Sequence, residues 1–284
     1  MPMTDQSTIV VRSIADVRAL VAGWRAQGLR VALVPTMGAL HAGHVSLVEI
    51  ARRQADRVVV SIFVNPTQFA PTEDFSKYPR TFEADLEKLS AIGAEAVYAP
   101  PVEAMYPPGA ATTVSVAGPA TAGLEDVTRP FHFAGVATIV AKLFTQVGPD
   151  VAVFGEKDFQ QLAVVRRMAD DLDLAVEVIG APTVREADGL AMSSRNVYLS
   201  ADERATAPAL HRILQEAVAA LGKGLAAEAA LAEARAAIAA AGFDLDYLDL
   251  RAADDLGPPR PGVPWRLLVA AMLGKTRLID NIAV

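Results

Sequence analysis

Val31-Ala32-Leu33-Val34-Pro35-Thr36-Met37-Gly38-Ala39-Leu40-His41-Ala42-Gly43-His44 sets the architecture of the chain. Four consecutive apolar residues read as a strand buried on both faces, and Pro35 ends it. Gly38 permits a turn, and over 44–54 Val45, Val48 and Ala51 recur at helical spacing. A buried strand, a glycine turn and a helix open a unit of the kind that builds parallel sheets.

The same alternation continues down the chain. Residues 58–64 read as a strand closed by Asn65-Pro66, and 81–92 as a helix stopped by Gly93. Residues 96–99 are strand-like, and 135–147 form a helix ended by Gly148-Pro149-Asp150. Then come a strand at 151–154, a helix at 159–172 and a strand at 175–179. The expected fold is α/β: a Rossmann-like parallel sheet with helices on both faces, over residues 1–183. Ligands of such sheets bind beyond the carboxyl ends of the strands, so the loops after Val34, Val64, Phe154 and Ile179 are the ones to search.

After Leu199 the pattern changes. Ser200-Ala201-Asp202-Glu203 is a capping box that opens a long helix to about Leu221, and an alanine-rich helix follows over 225–241. Strands are expected at 245–250, 267–272 and 277–283, with a Pro-rich turn at 257–262 between the first two. These make a smaller C-terminal α+β domain, residues 184–284, expected to close over the site. No internal repeat is visible.

Composition removes several function classes. Of 284 residues, 52% are apolar and 21% charged, which is globular. Lys and Arg number 26 against 33 Asp and Glu, a net charge of −7, which disfavours a general nucleic-acid or anionic-membrane binder. Without cysteine there is no disulfide, thiolate nucleophile or Cys-ligated metal. The apolar run 58–64 is far too short to span a bilayer. Residues 1–7 are polar and lack the charged head and apolar block of a targeting signal. A cytoplasmic protein is expected.

Three loops carry candidate chemistry. In the first, Met37 to His44, His41 and His44 stand at the start of a helix, whose unpaired N–H groups and partial positive charge suit a phosphate chain. Gly43 removes a side chain where a base or ribose could lie. The imidazoles could stabilise charge building on phosphate oxygens. The plain alternative is that they only cap the helix. The second loop is Gly155-Glu156-Lys157-Asp158-Phe159-Gln160-Gln161. Here Lys157 could neutralise phosphate, Asp158 could bind a ribose diol and Gln161 a small polar substrate. The third runs over 183–196, where Ser193, Ser194 and Arg195 offer hydroxyl and guanidinium donors for a triphosphate. Asn65 and Gln68, after the second strand, should face the same crevice. Tyr78-Pro79-Arg80-Thr81 and the stretch 128–133 are candidate gates, His132 reads as packing, and His211 is placed on the surface.

Taken together these motifs are identified with a family. His41-Ala42-Gly43-His44 resembles the HxGH signature of nucleotidyltransferases. With Phe63-Val64-Asn65-Pro66-Thr67-Gln68-Phe69, Gly155-Glu156-Lys157-Asp158 and Met192-Ser193-Ser194-Arg195-Asn196, the chain is similar to the pantoate–β-alanine ligase family. The resemblance is dense over 31–199 and looser beyond. It implies that Met37, Gly38, Ala39, Leu40, His41, Ala42, Gly43 and His44 line the ATP site, with His44 catalytic and His41 beside it. It further implies ribose contacts from Gly155 and Asp158, a phosphate contact from Lys157, and adenine contacts from the backbones of Val184 and Met192. Glu156 lies within this ATP loop. Ser193, Ser194 and Arg195 would hold the triphosphate, and Gln68 and Gln161 would hold pantoate, with Gln68 also bordering β-alanine and Asn65 beside it. The family is homodimeric and uses Mg²⁺. Ala84 stands where some relatives carry an acid, which leaves Asp85 as a candidate magnesium ligand, and 110–123 shows little family pattern.

The implied reaction is ATP-dependent condensation of D-pantoate with β-alanine through a pantoyl adenylate, releasing pyrophosphate and AMP. Two other readings share the loops: an adenylyltransferase acting on a phosphorylated acceptor, and a nucleotide sensor without turnover. The uncharged pair Gln68 and Gln161 favours a small hydroxy-acid over a phosphorylated acceptor. Length and acidity disfavour a tRNA synthetase.

Overall fold

The computed structural model describes residues 8–69, 75, 76 and 78–284; the polar segment 1–7 lies outside the described residues. In chain order the elements are β1 (Ile9–Val11), α1 (Ile14–Arg25), β2 (Val31–Thr36), α2 (Ala42–Gln54), β3 (Arg57–Ile62), α3 (Phe82–Ala91), β4 (Ala96–Tyr98), α4 (Val102–Met105), α5 (Glu125–Thr128) and α6 (His132–Val147). Then follow β5 (Val151–Gly155), α7 (Phe159–Asp171), β6 (Glu177–Ala181), α8 (Ala201–Thr206), α9 (Ala209–Gly222), α10 (Ala227–Ala240), β7 (Asp244–Ala252), β8 (Trp265–Leu273) and β9 (Thr276–Ala283). Short 3-10 turns occupy Pro66–Gln68, Glu156–Asp158 and Ser194–Tyr198.

The chain divides into two compact units. The first holds the described residues up to Val116 together with Arg129–Gly155 and Val164–Ala181, and the second holds Ala117–Thr128, Glu156–Ala163 and Pro182–Val284. A sequence boundary at 183/184 cuts the chain once, whereas the second unit also takes up two earlier segments. Polar bonds draw them in. Gln160 accepts the Glu125 N–H at 3.0 Å and donates to the Pro119 carbonyl at 2.8 Å. The Glu125 carboxylate receives the Tyr247 hydroxyl at 2.9 Å and the Arg277 guanidinium at 2.7 Å. Hydrophobic periodicity carries no trace of such bonds.

In the first unit six parallel strands are ordered β1-β4-β3-β2-β5-β6. The middle strands are buried on both faces, as their unbroken apolar runs require. Ala32, Val34, Val58, Val60, Val97, Val151 and Val153 share one core with Leu47, Val48 and Ala51 of α2 and Leu89 of α3. On the other face Tyr98 donates to Gln146 of α6 at 2.8 Å, and the Phe154 ring meets Phe144 of α6 edge-on. The chain leaves β2 toward β3 on one side and returns to β5 on the other. The β2/β5 junction is therefore the point where strand order reverses, and there such sheets bind ligands. β1 and α1, which precede Val31, add an edge strand and a helix to the sequence reading.

The second unit carries the antiparallel sheet β7-β8-β9. Leu210, Ile213 and Leu214 of α9 and Ala234 and Ile238 of α10 pack with Leu248, Leu250, Leu267 and Val269 of the sheet. The Ser200/Glu203 capping box is present. The long helix expected to follow it is instead two helices, α8 and α9, broken at Ala207-Pro208. Proline has no N–H to give and its ring collides with the preceding turn, so the first helix stops there.

Candidate functional site

At the end of β2 the Thr36 hydroxyl donates to the Ser61 carbonyl at 2.7 Å and accepts the Gly38 N–H at 3.2 Å. Gly38 (φ 81) and Ala39 (φ 52) then both take left-handed backbone, which is easy for glycine and strained for alanine. Asp85 on α3, 1% exposed, holds this turn. Its carboxylate accepts the N–H groups of Ala39 at 2.9 Å and Leu40 at 2.8 Å, and the Thr81 hydroxyl at 3.1 Å. Lys88, one turn further along α3, donates to the Leu40 carbonyl at 2.7 Å. Both Asp85 oxygens thus accept bonds that hold the loop. Among the described residues no group of three or more histidine or acidic side chains could hold a metal ion.

The helix expected from His44 begins earlier, at Ala42, with His41 as its N-cap. His41 Nδ1 accepts the Gly43 N–H at 3.1 Å, and His44 Nδ1 accepts the His41 N–H at 3.3 Å. The ring centroids lie 4.2 Å apart. This is a capping box built from two imidazoles. Because each Nδ1 is an acceptor, the proton of each neutral ring sits on Nε2, which makes Nε2 a donor. Capping and phosphate chemistry therefore do not compete: they use different nitrogens.

After β3, fully buried Asn65 caps the Pro66–Gln68 turn. Its amide donates to Gln68 Oε1 at 2.9 Å and to the Gly135 carbonyl at 3.2 Å, so Asn65 and Gln68 are brought together. Its Oδ1 accepts the Tyr106 hydroxyl at 2.8 Å. Burial raises the Tyr106 pKa, outweighing its bonds with Thr67 and Asn65, so the phenol stays protonated and donates. The Gln68 carbonyl lies 3.3 Å from an Arg129 nitrogen and 3.0 Å from His132 Nδ1. The sequence placed Arg129 in a candidate gate and His132 as packing; both lie against the Gln68 backbone.

The remaining candidates belong to the second unit, apart from Gly155, which closes β5. Lys157 Nζ lies 3.9 Å from Asp158 Oδ2, and Gln161 sits half-buried in the first turn of α7. The Met192 N–H donates to the Val184 carbonyl at 3.0 Å, and Arg185 bridges Ala191, so these two segments run side by side. Ser193 caps the Ser194–Tyr198 turn, accepting the Arg195 N–H at 3.2 Å. Arg185 forms a fork with Asp280 at 2.7 and 2.9 Å. His211, expected at the surface, is only 12% exposed at its side chain, with Nδ1 3.4 Å from Asp280. An apolar helix face and a buried carboxylate have drawn it inward.

Glycine-flanked histidines that open the helix after a central parallel strand, at the reversal of strand order, define a nucleotide-binding type of α/β protein. More narrowly, the chain belongs to the pantoate–β-alanine ligase family, whose model matches residues 9–283. It is 60% identical over 277 residues to the pantothenate synthetase of Bradyrhizobium sp. strain BTAi1, covering 97% of this chain and 98% of that one. To the Rhodospirillum rubrum pantothenate synthetase it is 58% identical over 278 residues, with the same coverage. The crystal structure of pantothenate synthetase from Thermus thermophilus superposes with a TM-score of 0.90 at 48% identity, covering 97% of this chain and 99% of that one. A Francisella tularensis pantoate–β-alanine ligase, complexed with β,γ-ATP and β-alanine, gives 0.81 at 30% identity, with 97% of each chain covered. No helix among the described residues is long and apolar enough to cross a membrane.

Proposed function

We propose that this chain carries out the reaction for which its family is named, joining D-pantoate to β-alanine at the expense of ATP. A carboxylate is a poor acyl donor, so pantoate first attacks the α-phosphorus, forming pantoyl adenylate and releasing pyrophosphate. The amine of β-alanine then attacks the acyl carbon and displaces AMP. No covalent enzyme nucleophile is needed, so rate comes from positioning and from neutralising charge as it develops.

The observation that carries this reading is the double-histidine cap of α2, which puts the proton of each ring on Nε2 at a helix N-terminus. In it, His44 donates to phosphate oxygens in the transition state, with His41 beside it. Met37 to Leu40, Ala42 and Gly43 line the ATP site around it. Lys157 neutralises phosphate, Gly155 and Asp158 serve the ribose end with Glu156 in the same loop, and Val184 and Met192 the adenine. Ser193, Ser194 and Arg195 bind the triphosphate. Gln68 and Gln161, aided by Asn65, orient pantoate without quenching its carboxylate as a tight cation would. Mg²⁺ enters with the substrate, carried mainly on ATP's phosphates and water. A homodimer acting in the cytoplasm completes the reading.

The test is product identity. ATP with D-pantoate should release pyrophosphate, and AMP and an amide should appear together once β-alanine is added. Pantoate labelled with heavy oxygen in its carboxylate should pass one labelled atom to AMP. ADP, or label-free AMP from an active enzyme, would exclude the acyl-adenylate route, and no turnover with any substrate pair would leave the nucleotide sensor.

A further inference from the structure

Asp280 and Asn281 are consecutive on β9, so their side chains leave opposite faces of the strand. Each is buried, at 4% and 3% exposure, and each grips a different loop of the second unit. Asp280 takes the Arg185 fork, next to Val184. The Asn281 amide donates to two successive carbonyls, of Glu156 at 2.9 Å and of Lys157 at 2.8 Å.

The orientation of that amide is fixed by chemistry. Arg266 Nε can only donate, and it lies 2.6 Å from Asn281 Oδ1. The oxygen must face Arg266, so both amide hydrogens face the two carbonyls. Arg266 is itself located twice more, by the Glu156 carboxylate at 2.8 Å and by the Phe159 ring, whose centroid is 4.3 Å from the guanidinium carbon. Both amide hydrogens of Asn281 are thus used on the 3-10 turn that bears Lys157 and Asp158, and its oxygen is used on Arg266. Aspartate there would set an acceptor against two carbonyls, and leucine would remove both hydrogen bonds.

We propose that Asn281, oriented by Arg266, is a positioning residue for ATP use: it fixes the Glu156–Asp158 turn and so sets where Lys157 and Asp158 project. The proposal rests on the function put forward above, and it gives the chain's last strand a part in adenylation.

The test compares wild type, Asn281→Ala and Arg266→Lys. ATP affinity is read by calorimetry without pantoate, pyrophosphate release is read in single turnover with pantoate, and folding is read by thermal melting. Asn281→Ala should bind ATP about tenfold more weakly and release pyrophosphate about tenfold more slowly, as expected for two lost hydrogen bonds. Its KM for pantoate should stay within about twofold of wild type. Arg266→Lys keeps the charge but not the fork, and should fall between. Unchanged ATP affinity in a folded variant overturns the proposal, and so does a parallel loss of pantoate and ATP binding, which would mean general loosening. If Asn281→Ala does not fold, Arg266→Lys decides by the same criteria. If wild type binds ATP yet releases no pyrophosphate with pantoate, the function reading fails, and the ATP affinities alone judge Asn281.

Discussion

The Asp85 carboxylate accepts the Leu40 N–H at 2.8 Å across 45 residues of chain, and it accepts the adjacent Ala39 N–H as well. A charge-assisted pair of this kind compensates the left-handed backbone at Ala39. Asp85→Asn keeps the shape but turns an N–H donor toward an N–H donor. Stability should fall by roughly 1–3 kcal/mol in urea titration, and adenylation should slow by about tenfold or more because the His41–His44 cap is displaced. The magnesium concentration for half-maximal activity should stay where it is. A marked rise in that concentration, with stability unchanged, would make Asp85 a metal ligand.

Gly135 on α6 is a contact point for the turn that carries Gln68. A Cβ at this position would collide with the Thr67 carbonyl, which is backbone and cannot rotate aside. Gly135→Ala should therefore cost roughly 1–3 kcal/mol from overpacking and raise the KM for pantoate several-fold more than that for ATP. Equal kinetics in a folded Gly135→Ala enzyme would show that the Gln68 turn does not set pantoate use.

His44→Ala should reduce the adenylation rate by about two to three powers of ten, the scale of a lost transition-state donor, with little loss of fold. Gln161→Ala should instead weaken pantoate use more than ATP binding. Rapid-quench measurement of pyrophosphate with each substrate varied separates the two. A folded His44→Ala enzyme at near wild-type speed removes that imidazole from the mechanism.

Asp280 predicts an acid limb for stability. Burial pulls its carboxyl upward, but the bonds from His211 and Arg185 hold it below the ordinary 3.8. A depressed folded pKa means stability that is present above the unfolded value and lost as pH falls through the folded one. Thermal melts should therefore show this contribution intact above about pH 5 and fading below about pH 4. Asp280→Asn should be less stable at neutral pH and should lose less on acidification. An unchanged acid limb in that variant would assign the loss to other carboxylates.

The parallel sheet was legible in the residues alone, because strands buried on both faces must be apolar along nearly their whole length, and 31–34, 151–154 and, but for Ser61, 58–64 are. So were the ligand loops at the strand ends and the two histidines at a helix start, because turn glycines and helical spacing are local signals. What surrounds those loops emerged only on folding. Asp85, Arg129, His132, Arg266 and Asn281 act through hydrogen bonds to groups far away in the chain, and no period or composition marks such a partner. The same holds for 117–128 and 156–163, which the second unit takes up through Glu125 and Gln160. Hydrophobic pattern is written along the chain, whereas the pairing of one buried polar atom with another exists only once the chain has folded.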